Sequence, residues 1–101
     1  MSQETAIVID NICSKIRTID EVAKILYNKE AVDNDIIDIV VVTFAIIDPD
    51  SVEVEVGKLL EGFDTKGASL SWEVVSELDL QDDPEEDYVG LSVAWVRPSE
   101  G

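Results

Sequence analysis

The chain has no histidine, one cysteine, and seven lysines and arginines against 23 aspartates and glutamates in 101 residues. Each scarcity removes a class of chemistry. Without histidine there is no side chain that titrates near neutrality, so the usual general base and the commonest metal ligand are missing. Ser-His-Asp and Cys-His nucleophile systems cannot be assembled within one such chain. A single cysteine forms no internal disulfide and is too few for a thiolate zinc site. The shortage of cations argues against direct contact with nucleic acid, whose phosphates need neutralising. It argues equally against anionic membrane surfaces. The longest mostly apolar run, Ile36 to Ile47, falls far short of the roughly 18 to 20 residues that span a bilayer. The opening Met1-Ser2-Gln3-Glu4-Thr5 lacks the basic region of a secretory signal, and a cytoplasmic location is expected.

What remains is a hydrophobic content of 46% combined with a net charge of −16. The apolar share is that of a globular chain and argues against disorder. The length suits one domain over residues 1–101, with folding burying roughly 65% of the unfolded surface.

Ile9, Ile12, Cys13 and Ile16 repeat at the spacing of one helical stripe. Thr18-Ile19-Asp20-Glu21 has the form of a capping box. Ile19, Val22, Ala23 and Leu26 then extend a helical stripe toward Asp33. Two helices, or one broken near Arg17 and Thr18, are expected over residues 3–32. From Ile36 to Ile47 the residues are mostly β-branched and apolar on both faces, as in a central strand. Asp48-Pro49-Asp50-Ser51 is a turn signal. Val52-Glu53-Val54-Glu55-Val56 alternates, which predicts a second strand closing an antiparallel hairpin. Gly57, Gly62 and Gly67 punctuate a connection, with one helical turn expected over residues 58–61. Leu70, Trp72 and Val74 alternate in a third strand, and Val89, Leu91, Val93 and Trp95 in a fourth that Pro98 ends. The expected fold is α+β: a two-layer sandwich with N-terminal helices packed on one face of a four-stranded, mainly antiparallel sheet over residues 36–97. A first strand apolar on both sides needs cover on its second face. A curled sheet, the 57–67 loop or a second copy of the chain in a homodimer would each supply it.

Cys13 lies on the apolar stripe and reads as a core thiol. Glu53 and Glu55 resemble a carboxylate pair but read first as the wet side of a strand. The glycine spacing lacks the Gly-Lys-Ser/Thr ending of a phosphate loop. Residues 79–87 hold Asp79, Asp82, Asp83, Glu85, Glu86 and Asp87. Three readings stay open for them: a solvated hairpin loop, a contact for a basic partner, or a cation site that lacks the EF-hand pattern. Trp72 and Trp95 read as core, and Tyr88 as an aromatic beside the acidic loop.

No catalytic residue, cofactor or metal is expected. The composition points to a small acidic interaction protein, of the inhibitor, immunity or nucleic-acid-mimicking kind. It would bind a basic protein surface through an acidic sheet face. The contact residues would be Glu53, Glu55, Glu73, Glu77, Asp79, Asp82, Asp83, Glu85, Glu86, Asp87 and Tyr88. The alternative is an accessory subunit or homodimer that docks through apolar sheet surface, its acidity serving only solubility. Residues 1–35 carry a net −3 and residues 36–101 a net −13, so the charge excess lies in the segment expected to form the sheet.

Overall fold

The computed structural model describes residues 3–78 and 91–98. In chain order the elements are α1 (Gln3–Ile16), β1 (Val22–Tyr27), α2 (Lys29–Val32), β2 (Ile36–Thr43), α3 (Pro49–Leu60), β3 (Ser69–Ser76) and β4 (Ser92–Val96). The four strands form one sheet in the order β3-β2-β1-β4. β1 runs antiparallel to both β2 and β4, whereas β2 and β3 are parallel over their full lengths. The fold is α+β, with helices on a four-stranded sheet as the sequence implies. The sheet, however, is mixed rather than mainly antiparallel.

Side-chain alternation along β2 sorts the interior into two clusters. Ile37, Ile39 and Val41 face α1 and α3, meeting Val8, Ile9, Ile12, Cys13 and Ile16 from one helix and Val52, Val56 and Leu60 from the other. Val40 and Val42 point to the opposite face with Leu26 and Val75, and Leu91 packs against them. Val40 is only 3% exposed and Val42 0%. The second face of β2 is therefore covered within one chain, and burying this strand does not require a second copy.

Two segments depart from the sequence reading. Residues 22–27 form strand β1, not the second half of a helix. Thr18 does not cap a new helix: its hydroxyl donates back to the Lys15 carbonyl at 2.6 Å, where α1 has just ended. Ile19, Val22, Ala23 and Leu26 fit helical spacing, but a run this short fits a strand equally well. β2 decides between them, because its backbone needs a hydrogen-bonded neighbour on that edge.

The second departure is α3, where a strand and hairpin were expected. Asp48 is the N-cap, its carboxylate accepting from the Asp50 N–H at 3.0 Å, and Pro49 opens the first turn. These are strong helix-start signals. The alternation of Val52, Val54 and Val56 misleads, because only Val52 and Val56 are buried while Val54 is 58% exposed. Burial four residues apart is helical. The helix also carries the chain across to β3, since parallel strands cannot be joined by a tight turn. The helical turn expected over residues 58–61 is its last turn. Gly57 lies inside it, whereas Gly62 and Gly67 adopt positive φ in the following connection. The expected helical half thus contains a strand, and the expected sheet half a helix.

The β1–β2 connection is held locally. Asn28 caps α2 by accepting from the Glu30 and Ala31 N–H groups. Asp35 adopts φ 58°, its carboxylate accepts from the Thr5 hydroxyl, and its carbonyl accepts from the Ser69 N–H.

β4 is fastened by Arg97. Its Nε donates to the Val22 carbonyl at 2.9 Å, and one Nη donates to the carbonyls of Arg17 at 3.1 Å and Ile19 at 2.9 Å. Its guanidinium also lies 5.0 Å from the centre of the Trp95 ring. The carbonyls at and beyond the end of α1 have no helical partner, and a planar fork serves them better than an ammonium does. Arg97→Ala is expected to lower unfolding free energy by about 1–3 kcal/mol, with Arg97→Lys recovering only part. Urea titration of the two variants checks this, and full recovery by lysine would contradict the fork geometry.

Thr43 ends β2 at 0% exposure, and its hydroxyl has no hydrogen-bond partner. Thr43→Val removes that hydroxyl at nearly constant shape. It is expected to leave stability unchanged or raise it by about 1 kcal/mol. The same titration measures it, and a clear loss would mean that the hydroxyl is bonded.

Candidate functional site

The structure divides the acidic surface that the sequence placed on one sheet face. Glu53 and Glu55 are exposed on α3, the helix covering one side of the sheet. They are not the wet side of a strand, because residues 52–56 are not a strand. Glu73 is exposed on β3 and opposes Val40, so it lies on the sheet face turned away from α1 and α3. Glu77 is half-buried just after β3. Asp79, Asp82, Asp83, Glu85, Glu86, Asp87 and Tyr88 lie outside the described residues, as does the start of the expected fourth strand at Val89.

Asp38 belongs with Glu73. It is half-buried on β2, opposes Ser71, and shares the face of Val40 and Val42. Its sequence position, two residues before Val40 in an alternating strand, carries that information. The surrounding apolar run makes it look like an interruption instead.

All seven lysines and arginines fall within the described residues. Arg97 is engaged with backbone carbonyls, and the Lys15 ammonium stands 6.0 Å from the centre of the Phe63 ring. Among the described side chains, no lysine or arginine pairs with a carboxylate within 4.0 Å. The described carboxylates therefore have no lysine or arginine counterion within that distance.

Concavities among the described residues include two bordered by α1. One, of about 240 Å³, lies between α1 and β4 and is lined by Ile9, Asp10, Tyr27, Lys29, Val32 and Ala94, among others. It is smaller than most small-molecule sites. The other is a wide groove of about 610 Å³ between α1 and residues 61–66, where Lys15 and Lys66 sit beside Glu61 and Asp64. No group of three or more carboxylates or thiols is arranged to hold a metal ion among the described residues. No helix among them is long and apolar enough to cross a membrane.

Comparison with protein-family models, curated proteins and solved structures finds no match for this chain.

Cys13 is buried in the α1 stripe, as its sequence position implies. Burial, with a smaller contribution from Asp10 and an opposing one from Arg17, pushes its thiol from 9.0 up to about 11. A thiol with that shift is protonated at neutral pH and a poor nucleophile. Its unfolded-state value is the lower one, so the unfolded chain releases the proton first. The stability Cys13 contributes is full below about 9 and is lost as pH rises toward about 11. Unfolding midpoints should fall across that window, and Cys13→Ala should remove part of the slope. Identical slopes in the two proteins would refute the shift.

Proposed function

We propose that the protein is a small non-catalytic interaction protein of the inhibitor, immunity or nucleic-acid-mimicking kind, which occupies a basic surface of a partner protein. The observation that carries this reading is that, among the described residues, the carboxylates have no lysine or arginine counterion, in a chain of net charge −16. Such charges repel one another in the free protein. A basic partner supplies the counterions, so association relieves that repulsion and is steered at long range. The contacts are Glu73 on the sheet, Glu53 and Glu55 on α3, Glu77, and the acidic stretch from Asp79 to Asp87 with Tyr88.

A second reading, an accessory subunit docking through apolar surface, is favoured by Ile46. This side chain is 93% exposed in the connection between β2 and α3, close in sequence to the exposed Phe44. The two readings respond differently to salt. Affinity capture from the native host at low and at moderate ionic strength is expected to retain a basic partner only at the lower. Charge reversal at Asp82, Asp83, Glu85 and Glu86 should weaken capture by roughly tenfold or more while leaving the fold intact. Capture that is insensitive to salt would support the apolar reading instead.

A further inference from the structure

We infer that the cavity between α1 and β4 binds a small zwitterion with an apolar body, of the size and kind of leucine. The inference stands apart from the acidic-surface reading and needs no partner protein. The cavity holds about 240 Å³ and is built by α1, the junction of β1 with α2, and β4. Its base is apolar, formed by Ile9 at 6% exposure and Val32 at 2%. Ala6 on α1 and Ala94 on β4 also line it, and their small side chains leave the space open. Ala6, Ile9 and Asp10 reach it together because residues three and four apart share one side of a helix. Lys29 reaches it because Asn28 caps α2 directly after Tyr27, so the chain turns at the end of β1.

Three polar groups of different character border this base. Asp10 and Lys29 are exposed, and Tyr27 is half-buried against the core. Among the described residues none of these three side chains has a hydrogen-bond or ion-pair partner. Asp10 and Lys29 stay more than 4.0 Å apart although they line the same cavity. That arrangement selects the ligand. A simple anion is repelled by Asp10, and a simple cation by Lys29. A zwitterion satisfies both, its ammonium donating to Asp10 and its carboxylate accepting from Lys29 and from the Tyr27 hydroxyl. Its apolar body then covers Ile9 and Val32. A few polar groups set around an apolar lining are the usual make-up of a ligand site, and the small volume limits the occupant to one well below drug size. The field of a chain at −16 disfavours the approach of anions, whereas a zwitterion carries no net charge for it to repel.

The test titrates the full chain with leucine and follows backbone amide shifts by NMR. Saturable shifts are expected in residues 6–10, 27–32 and 93–94. Isocaproate, which is leucine without its amine, and isoamylamine, which is leucine without its carboxylate, should each bind about tenfold more weakly. Asp10→Asn should weaken leucine about tenfold and remove its advantage over isocaproate. Lys29→Gln should do the same for leucine against isoamylamine. Both side chains are exposed, so unchanged unfolding midpoints are expected for the two variants. Ala6→Leu should fill the cavity and abolish binding of all three compounds. The loss of one specific advantage in each charge variant is a readout that a change in folding alone would not produce. Equal binding of isoamylamine and leucine, or of isocaproate and leucine, would overturn the zwitterion. Shifts confined to residues outside the cavity would overturn the site. No saturable shift up to roughly 10 mM leucine would overturn the inference as a whole, and salt-sensitive partner capture would still report separately on the acidic surface.

Discussion

The rest of the structure depends on one constraint, the burial of β2 on both faces and its pairing on both edges. Ile37 and the residues from Ile39 to Thr43 are all buried. A strand of that composition cannot lie against water on either side without losing most of its hydrophobic stabilisation. It also cannot leave its backbone unpaired once its faces are sealed. One edge is met by β1 and the other by β3. One face is met by α1 and α3; on the other, Val40 and Val42 lie beside Leu26 and Val75 of the neighbouring strands, and Leu91 packs against them.

That constraint also explains which parts of the fold were legible in the sequence. The stripe in α1 fits only a helical period, and the alternation in β3 fits only a strand; the alternation expected of β4 is broken, because Leu91 packs on one face, Ala94 and Trp95 on the other, and Val93 is exposed. Residues 22–27 and 52–56 satisfy both periods, because short apolar runs spaced by two and by four share positions. Asp48-Pro49 is similarly ambiguous, since an aspartate followed by proline opens a tight turn and a helix equally well. What resolves each case is tertiary. β2 requires a neighbour, and a parallel partner requires a long crossover. Neither demand is visible within a window of six residues.

The site was legible to a lesser degree for the same reason. Glu73 was placed on the exposed side of a strand because its alternation with Leu70, Trp72 and Val74 is genuine. Glu53 and Glu55 were placed beside it because their alternation belongs to a helix whose outer side is simply wet. Asp38 reads in the sequence as a charge interrupting an apolar run, although its register opposite Ser71 puts it on the face of Glu73. The grouping of these residues depended on which edge of the sheet each strand joined.

Charge and topology meet at β3. Glu73 is the one charged residue among the eight of that strand, and its register opposite Val40 puts it on the sheet face turned away from α1 and α3. Like charges in cross-strand contact destabilise pairing, so a glutamate at that position works against pairing with a second copy of the strand. The field of a chain at −16 acts in the same sense, repelling copies before contact.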